Sequence, residues 1–356
     1  MRFLNLRLQN FRNMEFAELP LNSNRIFLLG GNGQGKSNLL EALGLVTAVR
    51  SFRTQTMVSL AQKGMDSYSL AYQLVHDSEG ITSLEIHSGS AGRKVLIDGE
   101  KVSRLVDFIG RFPTVTLCSS DLMLLRGSPS ERRRFIDLTL SVVNRSYYSS
   151  LRQFNSGITE RNRLLKNNGS AAELSAFEAE VATHACIISN FRKESILKLG
   201  DVLSRVYAGI AEADEGPVLS FRPNADCHDA EAYCHMLRES RERDKLIGAT
   251  QRGPHRDDFS LSLSIGGARE YASDGQQRGL CVALRVAQAS FYRELLDRVP
   301  VLLADDVLGE LDPIRREGFW RTCPKDIQII ATGTELPSEP KKWVVFKIKN
   351  GQVALS

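Results

Sequence analysis

The stretch that most constrains this chain is Gly30-Gly31-Asn32-Gly33-Gln34-Gly35-Lys36-Ser37. It fits G-x-x-x-x-G-K-[ST] and stands where a phosphate-binding loop should stand. Arg25-Ile26-Phe27-Leu28-Leu29 reads as a buried strand entering it, and Asn38-Leu39-Leu40-Glu41-Ala42-Leu43 as the first turns of a helix leaving it. Glycines let backbone N–H groups turn inward around phosphates, and the helix N-terminus adds partial positive charge. Lys36 is placed to reach the β- and γ-phosphates, and the Ser37 hydroxyl to take one Mg²⁺ position. An ordinary glycine-rich turn has no need of Lys-Ser in this register, so the sequence points to a nucleoside triphosphate.

At 356 residues the chain is long enough for two or three domains. A net charge of +4 is mild, so any nucleic-acid contact must come from local clustering of basic residues. The six cysteines are scattered without a paired framework, which suits a reducing compartment. The first residues alternate like a strand and lack a signal-peptide apolar region, and no apolar run approaches the roughly 18 residues that would span a bilayer. A cytoplasmic location without membrane contact is the expectation.

Along the chain, the helix after the loop is predicted to run from Lys36 to about Val49. Arg12 and Arg53, near the loop in sequence, are either nucleotide contacts or plain surface arginines. Ser69–Val75, Thr82–His87 and Lys94–Ile97 read as an antiparallel insert with turns at Asp77-Ser78-Glu79-Gly80 and Asp98-Gly99. His76 and His87 are expected at the surface. Thr114–Leu117 returns as a core strand. Beyond it, Ser130 is a candidate N-cap, and helices over Ser146–Lys166 and around Leu174–Ile188 are predicted to pack antiparallel across Asn167-Asn168-Gly169-Ser170. This arm carries Arg132, Arg133, Arg134, Arg145, Arg152, Arg161, Arg163 and Lys166, each a candidate DNA phosphate contact or part of a solvated face. One of the adjacent Arg132–Arg134 is free to face inward into an ion pair. The Cys227-His228 and Cys234-His235 pairs match no zinc spacing.

The last third is dense again. Gly253-Pro254-His255-Arg256-Asp257-Asp258 leads into an alternating strand, and Ser273-Asp274-Gly275-Gln276-Gln277-Arg278 opens a helix. Val301-Leu302-Leu303-Ala304-Asp305-Asp306 is an apolar strand ending in two acids, the Walker B arrangement. Asp305 is placed to hold Mg²⁺ across from Ser37, and Asp306 to orient the attacking water. Lys36, Asp305 and Asp306 are therefore the candidate catalytic residues, and Gly30 to Ser37 the candidate ATP cradle.

Taken together, these residues resemble the ABC-type ATPase heads of the SMC/Rad50 group, and within it the RecF family of bacterial recombination and replication-repair proteins. The resemblance runs through Leu8–Asn13, Gly30–Ala42, Asp121-Leu122, Gly127–Pro129, Arg132–Asp137, Arg161–Lys166, Gly253–Asp258, Gly275–Arg278 and Asp305–Asp312. It implies an α/β fold: an ABC-type head on a mixed core sheet, with an antiparallel β insert and a helical arm. The head halves would occupy 1–120 and 251–356, and the arm 121–250. It implies ATP and Mg²⁺ as cofactors, an ATP-dependent homodimer, and binding to single-stranded and gapped or linear double-stranded DNA. It also implies recombinase loading with the mediators RecR and RecO, support of SOS induction, and a slow, DNA-stimulated ATPase. By motif match, Ser273, Gly275 and Gln276 would meet the γ-phosphate held by the other subunit. Three departures stand out. Leu117–Ser120 replaces the usual Phe-Ser-Pro-Glu, Asp274 replaces a glutamine, and the histidine switch of typical ABC ATPases gives way to Thr332 or Thr334, as RecF-like proteins generally show. A transporter nucleotide-binding subunit and a nucleotide-gated scaffold without hydrolysis are the alternatives. The arm and the Gly-Pro-His-Arg block count against the first.

Overall fold

Phe3, Leu6 and Leu8 alternate with exposed or half-buried residues, so the opening strand β1 (Arg2–Phe11) lays one apolar face on a core. In the computed structural model, which describes residues 1–54, 57–76, 80–90, 92–211, 215–337 and 339–355, β1 does not join the strand before the phosphate loop. It pairs with β2 (Met14–Pro20) on one side and with β4 (Tyr68–His76) on the other. The sheet continues through β5 (Gly80–Gly89), β6 (Gly92–Ile97) and β7 (Glu100–Lys101), antiparallel throughout. The predicted insert is thus the larger part of a six-stranded sheet that the N-terminal hairpin begins. Asp98 and Gly99 turn at φ of 50° and 83°, as a two-residue hairpin requires. Asp77, Ser78 and Glu79 of the other predicted turn lie outside the described residues. His76 is buried with its ring 5.4 Å from Phe112, which corrects its expected surface place, whereas His87 is half-buried beside Glu85.

A second sheet of six strands runs in the order β15-β14-β3-β13-β12-β8. Its members are β3 (Arg25–Leu29), β8 (Thr114–Cys118), β12 (Val301–Asp305), β13 (Ile329–Gly333), β14 (Val344–Lys349) and β15 (Gln352–Leu355). All neighbours are parallel except the β14–β15 hairpin, which makes the sheet mixed. Its central strands read as continuous apolar runs, as buried parallel strands do. The helix α1 (Lys36–Gly44) ends five residues short of the predicted Val49. Phe52 packs at the position where a Gly44 side chain would grow, and the chain turns there. With α9 (Asp274–Leu296) and α10 (Pro313–Thr322), these elements belong to one compact unit, drawn from the described residues of Met1–Asp121, Val206–Asp214 and Asp274–Ser356. No helix among the described residues is long and apolar enough to cross a membrane.

The second unit comprises the described residues of Leu122–Arg205 and Glu215–Ser273. It therefore runs past residue 250, where the sequence reading placed the end of the arm. After a short turn, α2 (Met123–Arg126), come α3 (Pro129–Val143) and α4 (Arg145–Lys166), the latter about 33 Å long. The cap of α3 is Ser128 rather than Ser130, whose hydroxyl instead meets that of Ser128 at 2.6 Å. Asn144 caps α4, accepting from the Tyr147 amide at 2.8 Å. The next helix, α5 (Ala171–Ala211), contributes its residues up to Arg205 to this unit. Arg161 meets Glu178, the Gly157 position abuts Val181, and Tyr147 meets Arg192, so α4 and α5 run antiparallel as predicted. A three-stranded sheet, β9 (Val218–Arg222), β10 (Asp258–Leu263) and β11 (Gly266–Gly267), and the helices α6 (Ala230–Glu239), α7 (Arg241–Ile247) and α8 (Ala268–Tyr271) complete it.

Two buried arginines organise this unit. Arg161, fully buried, donates to Glu178 at 3.1 Å, Asp244 at 2.7 Å, Thr250 at 2.8 Å and the Leu237 carbonyl at 2.8 Å. Arg192 donates to Asp137 and Asp257, both at 2.7 Å, and to the Pro254 carbonyl at 2.8 Å. Arg161 cannot reach a phosphate from there, which removes it from the DNA-contact candidates. Arg132 forks Asp258 at 2.8 and 3.0 Å, and Arg133 donates to the Asp257 carbonyl at 2.8 Å. Arg163 and Lys166 remain exposed near the end of α4, the former paired with Glu160.

Candidate functional site

The phosphate loop leaves the carboxyl end of β3, and the two acids leave the carboxyl end of β12, with β13 between them. Open α/β sheets place ligands at such carboxyl ends. Gly33 and Gly35 adopt φ of 76° and 112°, conformations that a side chain would strain. At Gly35 an added Cβ would also lie 2.8 Å from the Met14 methyl and 2.9 Å from Asn13 Oδ1. The loop is held from outside by the β14–β15 turn. Gly351 N donates to the Gln34 carbonyl at 3.0 Å, and Asn350 N to Gln34 Oε1 at 2.7 Å. Asn38 adds a bond to Asn13 Oδ1 at 2.7 Å.

Within this frame four of the predicted residues converge. The Lys36 ammonium, almost wholly buried, donates to the carbonyls of Gly30 at 2.7 Å and Gly31 at 3.2 Å and lies 3.7 Å from Asp306 Oδ2. Ser37 Oγ donates to Asp305 Oδ1 at 2.7 Å. Thr332, on β13, reaches both acids: its hydroxyl is 3.1 Å from Asp305 Oδ1 and 3.3 Å from Asp306 Oδ1, and it accepts the Asp306 amide at 2.9 Å. Of the two threonines at the switch position, these contacts belong to Thr332. Burial pushes the Asp305 carboxyl up from its ordinary value against the opposing hydrogen bonds from Ser37 and Thr332, and the neighbouring Asp306 charge pushes the same way. Asp306 has a left-handed backbone at φ 57°, which turns its carboxylate out of the strand direction and toward Lys36.

Ser37 and Asp305 present hard oxygen donors that already face each other, and a cation between them would relieve the desolvation of Asp305. Mg²⁺ accepts such a pair together with waters and phosphate oxygens, so the donor set fits. Bound there, it would draw charge from the phosphate oxygens.

The signature residues lie elsewhere. Gly275 and Gln276 open α9, where an added Gly275 Cβ would lie 3.6 Å from Arg315 Nη1; Ser273 is the last residue of the second unit. Near the same helix, Glu310 accepts from Ser119 Oγ at 2.7 Å and pairs with Arg278. Asp121 accepts the Cys118 amide at 3.0 Å and pairs with Arg285 at 2.6 Å. Of Arg12 and Arg53, weighed as nucleotide contacts, Arg12 turns to Glu41, and Arg53 donates to Asn38 Oδ1 at 2.7 Å beside it. Arg12 forks this fully buried carboxylate at 2.7 and 2.8 Å, Arg53 approaches it at 3.4 Å, and the Ser51 hydroxyl caps it. They brace α1 from beneath. Sequence reading missed Glu41 because an acid in a helix after the loop looks like any solvated one.

No family model matches the chain. The DNA replication and repair protein RecF of Leptospira interrogans serogroup Icterohaemorrhagiae serovar Lai is 35% identical over 335 residues, which is 93% of this chain and 91% of its own length. The chain belongs to the RecF family. The protein of the same name from Streptococcus pneumoniae strain CGSP14 is 31% identical over 99% of this chain and 98% of its own. Among solved structures, the recombination mediator protein RecF with ATP, of the RecFOR pathway, superposes with a TM-score of 0.90 at 26% identity, covering 100% of this chain and 97% of that one. An Smc head bound to the winged-helix domain of ScpA matches at a TM-score of 0.57 and 14% identity, a likeness of fold alone. The RecF family and the ABC-type head expected from the motifs are thus established together.

Proposed function

We propose that this chain is an ATP-gated DNA-binding protein of recombinational repair and replication-fork maintenance, acting in the cytoplasm. The observation that carries the reading is the 2.7 Å bond between Ser37 and Asp305, with Lys36 3.7 Å from Asp306 at the same sheet end. Family membership and the ATP complex of a relative support it. The loop amides and Lys36 bind the β- and γ-phosphates, Ser37 and Asp305 hold Mg²⁺, and Asp306 orients the attacking water. Ser273, Gly275 and Gln276 reach the γ-phosphate of a second copy, so ATP closes a dimer. That dimer engages single-stranded and gapped or linear duplex DNA, works with the mediators RecR and RecO in recombinase loading, and supports SOS induction.

Sedimentation of the protein with and without ATP and gapped DNA tests this. The wild type dimerises with ATP. Lys36→Arg fails to do so, because a guanidinium cannot place the point charge a tight loop requires. Ser273→Arg binds ATP and stays monomeric. Dimerisation of Lys36→Arg at wild-type ATP concentrations, or loss of ATP binding in Ser273→Arg, would defeat the assignment.

A further inference from the structure

The Gly253–Asp258 block is an arginine platform whose nearby acids are already engaged. Asp257, wholly buried, accepts from Arg192 at 2.7 Å and from the Asn224 amide at 2.8 Å. Asp258 is forked by Arg132, Asp137 accepts from Arg192, and Asp226 faces His228. Left at the surface are Arg222, Arg252 and Arg256, all exposed, and among the described residues none of the three guanidinium groups has a carboxylate in ion-pairing range.

Their backbones are stitched into one rim. Arg222 on β9 stands opposite Asp258 on β10. Asn224 accepts the Gly253 amide at 3.0 Å, Arg256 N donates to the Gly253 carbonyl at 2.8 Å, and the Tyr233 hydroxyl donates to the Arg252 carbonyl at 2.9 Å. Gly253 has φ 135°, and any side chain there would run into the Tyr233 hydroxyl. The turn between Arg252 and Arg256 therefore has one shape. A solvated basic face needs none of this. Buried ion pairs such as Arg192–Asp257 contribute little net stability, and what they supply here is a fixed position for the groups above them.

We propose that Arg222, Arg252 and Arg256 form a preset contact for the phosphate backbone of duplex DNA on the second unit. The proposal rests on the DNA-binding reading above and names the site for it. Arginine forks match phosphate oxygens bidentately, and a rim already held in shape loses less freedom on binding. The contact reads no sequence, since phosphates position a protein without specifying bases.

The test is fluorescence anisotropy of a labelled duplex oligonucleotide with the full chain and ATP, over a series of KCl concentrations. Each phosphate contact contributes about 0.9 to the slope of log K against log salt. Arg222→Gln, Arg252→Gln and Arg256→Gln each flatten that slope by about 0.9 and weaken binding about eightfold near 0.1 M KCl. The triple arginine-to-lysine variant keeps the slope. ATP affinity and melting temperature stay at wild-type values throughout. An unchanged slope in the triple glutamine variant, while the wild type binds duplex, overturns this site and leaves the DNA-binding reading standing. A slope change that comes with a lowered melting temperature assigns the arginines a structural role and also overturns it. A wild type that does not bind duplex at low salt overturns both.

Discussion

Replacing Arg161 by methionine separates a structural arginine from a DNA-binding one. The side chain is fully buried, and removing its guanidinium strips a partner from Asp244, 1% exposed, and from Glu178, which is fully buried. Glu178 keeps Arg241, and Asp244 keeps the Ser240 hydroxyl and the Gln251 amide, each at 3.1 Å. Breaking a buried ion pair costs about 3–5 kcal/mol. The surviving partners place Arg161→Met at the lower end, at about 3 kcal/mol. In a cooperative unit of this size each kcal/mol moves the melting temperature by roughly 3–4 °C, so a fall of about 10 °C is expected. Arg163→Ala removes only an exposed pair with Glu160 and should move it by about 1–2 °C at most. The assay is differential scanning fluorimetry, with duplex anisotropy well below either transition. Arg161→Met should bind duplex like the wild type there. A shift below about 3 °C with a loss of duplex affinity would refute the buried-network reasoning.

Other outcomes follow from the site and its surroundings. Asp306 is one methylene shorter than a glutamate, and misplacing a catalytic group by about 1 Å can cost roughly 100-fold in rate. Hydrolysis should therefore be slow, and Asp306→Asn should lengthen the life of the ATP-closed dimer while leaving ATP binding intact; unchanged single-turnover hydrolysis in the variant would contradict this. Burial pushes the thiols of Cys118 up to about 11 and of Cys227 and Cys323 up to about 12, so mass spectrometry should find all three unmodified after brief iodoacetamide treatment at pH 8. Burial lowers His255 from 6.5 to about 4, with its Nε2 3.0 Å from the Thr250 carbonyl. The unfolded chain then binds a proton below pH 6.5 that the folded chain refuses until about pH 4. Stability on the order of 3 kcal/mol is present above pH 6.5 and lost as pH falls through that window. Urea midpoints at pH 7 and pH 5 should differ more for the wild type than for His255→Gln, and equal differences would refute the assignment.

The parts of the site legible in the sequence were those whose chemistry is local. Gly30–Ser37 and Val301–Asp306 each carry their own strand and turn signals, so both could be placed before their meeting was seen. Ser37 and Asp305 are 268 residues apart, and Thr332 belongs to a third strand; a strand-end threonine gives no local sign that it serves two acids. Charge was the poorest guide. Arg161 and Arg163 are two residues apart on one helix, yet one is sealed against Glu178 and Asp244 and the other faces water. Arg161 shares the buried face of α4 with Phe154, Ile158 and Leu165, so its place on that stripe, and not its charge, was the signal. Similarly, alternation placed His76 in or beside a strand, but it could not say that Phe112 would cover the ring.

The strand order of the central sheet also sets a schedule for synthesis. β3, which feeds the phosphate loop, is flanked by β13 and β14, and Gln34 waits for Asn350, 316 residues later. At roughly 5–20 residues per second, a ribosome needs on the order of 15–60 s to supply those neighbours. Throughout that interval Ile26, Phe27 and Leu28 belong to an unpaired apolar strand, a natural target for chaperones. A stalled nascent chain therefore carries a cradle backed by Asn13 and Met14 but without the two bonds that the Asn350-Gly351 turn gives Gln34.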